Sequence, residues 1–363
     1  MGAGHPAQAA VRRAVREALA ALDGPMVLAA VSGGADSLAL AAALAAEADA
    51  AGVRAGAVIV DHGLAEGSAQ VAARAAEQCR ALGLDPVEVA AVEVERTSAG
   101  LEADARRARY AALDAAAEQM ARGMVDPAGG TKGPGGAHDG VAILLGHTRD
   151  DQAEQVLLGL ARGSGARSLA GMPARRGRYL RPLLTVDRAT TESACAAWEL
   201  TPWRDPMNDD PGYARVRARR ALRDLERDLG PGIAEALTRS ADQLRADADH
   251  LDHLAEEAAA PFIRGIPPSP LTSEYIEPAE GGIAVDDLLT LPDAIRTRVW
   301  RRLLIAAGAP AGRLTAHHVA ACDALLTAYR GQGPLHLPGP LHVSRRRVGR
   351  AARVFIAPAP PVE

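Results

Sequence analysis

Residues 32–37 read Ser-Gly-Gly-Ala-Asp-Ser, set between the apolar run Met26–Val31 and a helical pattern that starts at once. Backbone N–H groups at the start of a helix point outward without intrahelical partners and carry partial positive charge, so they receive anions. Gly33 and Gly34 let the main chain turn sharply and come close to a ligand. Ser32 and Ser37, either side of Ala35 and Asp36, offer hydroxyls to phosphate oxygens. Asp36 offers a hard oxygen ligand to Mg²⁺ beside a phosphate. The GxxxxGK[ST] spacing of the other common phosphate loop is absent, and no lysine lies nearby. A strand-to-helix turn capped by serine or aspartate would use the same residues, so the loop alone does not separate the two readings.

A second group lies in "GHTRDDQAEQVLLGLARGSG", residues 146–165. His147 follows an apolar run, and Asp150 or Asp151 opens a helix, with Asp150 an ordinary N-cap. Asp151 and Glu154 stand three apart and share a helical face. Acids in a first turn are also plain partners of the helix dipole. At the same sheet edge as the glycine loop, His147, Asp151 and Glu154 together could hold Mg²⁺ on ATP and orient a nucleophile.

The elements that must position these groups are legible as alternation. Strands are expected at Met26–Val31, Arg54–Asp61, Val87–Val94 and Val141–Gly146. Helices are expected at Gln8–Leu22, Ser37–Ala50, Ala69–Leu82, Leu101–Ala121 and Asp150–Leu160. This order predicts an α/β domain with a parallel sheet, whose ligands bind beyond the C-terminal strand ends. Residues 122–140 are rich in Gly and Pro without periodicity and are expected to be a disordered surface insertion. Near residue 210 the alternation stops. A long helical pattern runs from Tyr213 to Ala260, bent at 229–232. A linker (260–282), two helices (Asp293–Ala307, Thr315–Ala328) and a small β-hairpin element (333–357) follow. The expected domains are therefore 1–210, α/β, and 211–363, smaller and mainly helical with a short C-terminal β element.

Composition narrows the class. At 363 residues, 48% hydrophobic and with no apolar run near 18 residues, the chain reads as a soluble protein without a membrane partner. Arginines and a glutamate interrupt the N-terminus, which lacks a signal core, and the expected location is cytoplasmic. Cys79, Cys195 and Cys322 form no CxxC pair, and none is expected beside the glycine loop. Net charge is −4, yet 204–227 carries seven arginines and 345–353 five more. Arginine suits phosphate through bidentate, permanent charge, which points to RNA. The plain alternative is a helix laced with ion pairs to Asp224, Glu226 and Asp228.

Ser-Gly-Gly-x-Asp-Ser after a buried strand resembles the loop of N-type ATP pyrophosphatases. More narrowly, "VSGGADSLAL", "VIVDHGL", "LEADARRARY", "GHTRDDQAEQVLLGLARGSG", "LAGMP", "RPLL" and "WRDPMNDDPGYARVRARRAL" resemble tRNA(Ile)-lysidine synthetases over most of 26–230. The resemblance implies a ligase that uses ATP to adenylate carbon 2 of the cytidine at the first anticodon position of isoleucine tRNA. Free lysine then displaces AMP to give lysidine. It implies that Ser32, Gly33, Gly34, Ala35, Asp36 and Ser37 bind ATP, with Mg²⁺ on Asp36 and Asp151. Asp36, His147, Asp151, Glu154 and Arg219 would form the catalytic group, and Arg109, Arg215 and Arg219 would meet the tRNA. The sequence departs from the family pattern at Val216, Ala218, Ala65 and Gln155. A homodimer is compatible with it. The rival readings are another tRNA-modifying ATP pyrophosphatase, such as a thiolase, or an inactive nucleotide- or RNA-binding relative. On a helix, Arg215 and Arg219 share a face and Arg217 points away.

Overall fold

The computed structural model describes residues 5–22, 24–63, 67–97, 100–124, 140–163, 165–263 and 282–358. Two compact units divide at Leu244 and Arg245.

The first unit runs α1 (Pro6–Leu19), β1 (Met26–Val31), α2 (Ala35–Ala51), β2 (Arg54–Asp61), α3 (Ser68–Ala81), β3 (Val87–Ala91) and α4 (Leu101–Met124). Then come β4 (Val141–Leu145), α5 (Arg149–Ala161), α6 (Ala166–Leu169), β5 (Arg175–Arg176), β6 (Tyr179–Leu180), α7 (Arg188–Ala197), α8 (Ala214–Leu229) and α9 (Ile233–Ile263). Its six-stranded sheet has the order β3-β2-β1-β4-β6-β5, parallel except for the β5–β6 pair. Side chains alternate across a strand, so β1 feeds two cores. Val27, Ala29 and Val31 join residues of α1, α2, α3 and α7, while Met26 and Leu28 join α4 and β4. Burial on both faces explains why β1 and β4 read as unbroken apolar runs.

Where the chain differs from expectation, packing is the reason. β3 ends at Ala91 because its only neighbour, β2, ends opposite it at Asp61. The long pattern from Tyr213 is two helices, since Gly230 and Gly232 lie at φ of 101° and 97°, which no helix continues through. The change of pattern near residue 210 is not where the compact units divide. Val216, Ala218 and Leu222 of α8 are buried, and α8 packs on α5 within the first unit. Most of the expected 122–140 insertion lies outside the described residues. So does the 260–282 linker beyond Ile263. Helix α7 was not expected at all.

In the second unit the C-terminal part of α9 is joined by β7 (Ile283–Ala284), α10 (Val285–Leu289), α11 (Asp293–Ala306) and α12 (Ala316–Thr327). β8 (Leu335–Leu337), β9 (Leu341–Val348) and β10 (Ala351–Pro358) complete it. The expected hairpin is thus part of a four-stranded antiparallel sheet, ordered β7-β10-β9-β8. Trp300, Leu303, Leu325 and Val343 are fully buried in its core.

Arg296 carries a charge into this core. Its side chain is only 6% exposed and its Nε lies 2.7 Å from Asp323, itself 16% exposed, while Nη2 reaches the exposed Asp293 at 2.8 Å. Removing one partner of a buried pair strands the other. Arg296→Ala is expected to lower stability by about 3 kcal/mol. Asp293→Ala, at the wet end, should cost under about 1 kcal/mol. Urea denaturation of the full chain measures both, and equal losses would show that the pair is not effectively buried.

Candidate active site

The glycine loop closes on itself before it can offer anything to a ligand. Gly33 lies at φ 83°, and a side chain there would also meet Val71 at 3.3 Å. The Ser37 hydroxyl donates to the Gly34 carbonyl (2.9 Å) and accepts from the Ser32 N–H (3.1 Å). Ser37 is buried and shapes the turn, whereas Ser32 is exposed. The Trp203 N–H donates to the Gly33 carbonyl at 2.9 Å and ties a distant segment to the loop. Gly34 is the N-cap of α2 and no side chain caps the helix. The first turn, with Ala35 and Asp36, therefore presents its amide groups beyond the end of β1, two residues earlier than the expected start at Ser37.

β4 lies beside β1, with Ala30 opposite Leu145. Gly146 follows, and a side-chain carbon there would stand 3.2 Å from backbone atoms of Asp36 and Ser37. This near contact brings the two expected groups to one place. The N-cap of α5 is Thr148, not Asp150. Asp151 Oδ2 accepts from the Thr148 N–H (2.8 Å) and hydroxyl (3.1 Å), and Asp150 accepts the Arg188 N–H at 2.8 Å.

Arg188, at the start of α7, joins the carboxylates. Its guanidinium lies 2.9 Å from Asp151, 3.5 Å from Asp36 and 3.6 Å from Glu154. Burial works against its charge, but Asp151, Asp36, Glu154 and Asp150 outweigh that and raise its pKa. Thr191, on the same helix, donates to Asp36. Burial raises the Asp36 pKa above the ordinary carboxylate value, with Thr191 and Arg188 opposing it incompletely. Glu154, with its side chain 3% exposed, accepts from Arg219 Nε at 2.7 Å. Arg188 and Thr191 escaped the sequence reading. The only signals were the "TVDRATTES" stretch directly after "RPLL" and an Asp three residues before Thr190, whose N–H it accepts.

On the other side the charges reverse. A cavity of about 210 Å³ is lined by His62, Glu102, Arg106, Arg109, Tyr213 and Arg215. Arg215 pairs with Glu102 at 3.4 Å, and Arg109 lies over the Tyr110 ring. Arg217 is exposed and donates to the Pro211 and Gly212 carbonyls, so Arg215 and Arg219 share the inward face as their spacing demands. Desolvation lowers the His147 pKa to about 4; Asp151 opposes the shift, and Arg181, Arg109 and Arg215 add to it. His62 is shifted down by burial and Arg109. A larger hollow of about 870 Å³ borders the far side of the loop, between Gly33, Val71, Gln78, Trp198 and Trp203.

Two hard carboxylates, Asp36 and Asp151, approach one cationic group, a donor set that suits Mg²⁺. Among the described residues no three His, Cys, Asp or Glu side chains surround a common metal position. Phosphate oxygens would have to complete the shell. Cys195, expected away from the loop, lies against it instead: its thiol donates to the Ala35 carbonyl at 3.1 Å. Burial and the nearby Asp36 push its pKa up to about 12, so it stays a protonated packing residue.

A parallel sheet with an uncapped Ser-Gly-Gly turn at its central strand, facing acids on the neighbouring strand's helix, defines a PP-loop domain. The family model for that domain matches residues 7–126 and 136–226. A model of the TilS substrate binding domain matches 284–350. The chain is 52% identical over 336 residues to the tRNA(Ile)-lysidine synthase of Thermobifida fusca, covering 92% of this chain and 94% of that one. It is 50% identical to that of Streptomyces coelicolor (90% and 84% covered) and 48% to that of Salinispora tropica (95% and 96%). The chain belongs to the tRNA(Ile)-lysidine synthase family.

The depressed His147 pKa ties the stability of the fold to pH. Folding disfavours its protonated form, so its contribution to stability is intact above pH 6.5 and is lost as the pH falls from there through about 4. NMR titration of the imidazole is expected to show a midpoint near 4, and His147→Gln should flatten the loss of stability over that window. A midpoint near 6.5 would mean that the imidazole is solvated.

Proposed function

We propose that the first unit binds Mg²⁺ and ATP where α2 begins, and that the chain uses them to ligate lysine to carbon 2 of the cytidine at the first anticodon position of isoleucine tRNA. The observation that carries this reading is the convergence of Asp36, Asp151 and Glu154 on Arg188 and Arg219, directly beyond an uncapped helix N-terminus.

The triphosphate lies against the amides of residues 33–37, with Ser32 as a donor from the rim. Asp36 and Asp151 would hold Mg²⁺, which would offset phosphate charge there. The oxygen on cytidine C2 attacks the α-phosphorus and pyrophosphate leaves, giving the adenylated tRNA. The lysine ε-amine then adds at C2, the bond from C2 to the AMP oxygen breaks, and the amine loses a proton. Glu154 receives it, and Arg219 holds Glu154 in place and offsets its charge. His147 stays neutral at pH 7, so its imidazole adds no charge beside the substrate base. Arg109 and Arg215, at the basic cavity, meet the tRNA backbone. The second unit forms the tRNA-binding part, with Arg347 and Arg350 exposed at the end of its β sheet. The setting is cytoplasmic; no described helix is long and apolar enough to cross a membrane.

ATP–pyrophosphate exchange with isoleucine tRNA, and nucleoside mass spectrometry after lysine addition, test the reading. Asp36→Ala is expected to abolish exchange with the circular dichroism spectrum retained; near-normal exchange would refute the metal role. Arg219→Ala should lower turnover on the order of a hundredfold. Arg217→Ala, pointing away, should stay within about twofold of the parent. Equal small effects would make these arginines a solvated face.

A further inference from the structure

Arg188 has no assigned part in that scheme, yet it is the most connected side chain in the site. Its backbone N–H is fixed on Asp150 at 2.8 Å, which anchors the start of α7. From there its guanidinium reaches Asp36 on α2 at 3.5 Å and Asp151 and Glu154 on α5 at 2.9 and 3.6 Å. It thus stands in the space between the two carboxylates assigned above to magnesium. A guanidinium and a metal ion cannot both occupy that space.

We propose that Arg188 is a place-holding cation. Before nucleotide arrives it gathers the three carboxylates and offsets their repulsion, which in a partly buried site is worth far more than in water. When Mg²⁺ and ATP bind, Asp36 and Asp151 pass to the metal and the guanidinium turns to the phosphate oxygens. Its planar fork suits that contact in a way an ammonium does not. Only the side chain has to move, because the backbone anchor on Asp150 is independent of the carboxylates it releases. This makes Arg188 a positioning residue for the metal ligands. The proposal rests on the assignment of Asp36 and Asp151 to magnesium.

The two halves of the role predict shifts of opposite sign. Mn²⁺ binding to the full chain is followed by electron paramagnetic resonance without nucleotide. Binding of α,β-methylene-ATP, whose α–β bridge cannot be cleaved, is followed by calorimetry with Mg²⁺ present. In Arg188→Gln the competing cation is gone, so Mn²⁺ alone should bind about tenfold tighter. The nucleotide analogue should bind about tenfold weaker, because a charged contact to phosphate is lost. Arg188→Lys keeps the charge on a smaller head and should fall between parent and Arg188→Gln in both measurements; it carries the same test if Arg188→Gln does not fold. Weakening of both affinities would reduce Arg188 to a structural tie, and no change in either would make it idle; each result overturns the proposal. If the parent chain shows no Mn²⁺ binding linked to the analogue, the magnesium assignment falls and the proposal with it.

Discussion

The pairing of β1 with β4 is the constraint from which the site follows. The order β3-β2-β1-β4 means that the chain leaves β1 toward one side of the sheet and returns to β4 on the other. A crevice opens beyond the strand ends at such a reversal. The register sets Ala30 against Leu145, so both strands stop at the same level and both are followed by helix N-termini. Gly146 allows the second turn to approach the first within ordinary contact of the Asp36 backbone. Any side chain there would press on backbone atoms, which cannot swing aside.

That geometry forces a charge problem, and α7 resolves it. Three carboxylates meet there: Asp36 and Asp151 in the first turns of two helices, where the dipoles favour them, and Glu154 one turn further along α5. Packing them together under partial burial costs more than the dipoles return unless cations join them. Arg188 and Arg219 supply those cations, and the Glu154 side chain is nearly sealed from water as a result. For Asp36 the compensation is incomplete, since burial still dominates over Thr191 and Arg188. On the arginine-rich side, burial and the neighbouring arginines drive His147 and His62 toward their neutral forms. The site is thus polarised, acidic where a metal would sit and basic where a phosphate backbone would lie.

How much of this was legible in the sequence depended on how local the cause was. β1, β2 and β4 were readable because burial on both faces makes them continuous apolar runs. The glycine loop and the Asp151–Glu154 face were readable because turn chemistry and helical spacing act over a few residues. Helix α7 was not, because Arg188–Ala197 is "RATTESACAA", small and polar, with no stripe to betray it. Its contacts to the start of α2, from Thr191 and Arg188 to Asp36 and from Cys195 to the Ala35 carbonyl, span more than 150 positions in sequence and depend on tertiary packing. For the same reason the sequence placed a domain boundary near 210, where pattern changes, while the compact units part at 244. A helix rich in arginine looks foreign to an α/β domain until three apolar residues on its other face are seen to be buried.

Helix α8 also shows that a count of charges says little without their directions. Arg215 and Arg219, four apart, look inward, one to Glu102 and one to Glu154. Arg217 turns back to close the preceding loop, and Arg227 spends its charge on Asp224 and Asp228. The ion-paired reading holds for Arg227, which is spent on Asp224 and Asp228, while Arg215 and Arg219 are the residues left for the proposed contact with tRNA. What separates them is the helical phase of 100° per residue and the position of α5. Substituting a lysine for either arginine would keep the charge and lose the fork that lets one side chain hold a carboxylate oxygen, of buried Glu154 for Arg219 and of exposed Glu102 for Arg215, and still present donors to a substrate. That demand on geometry gives a physical reason for arginine at these two positions.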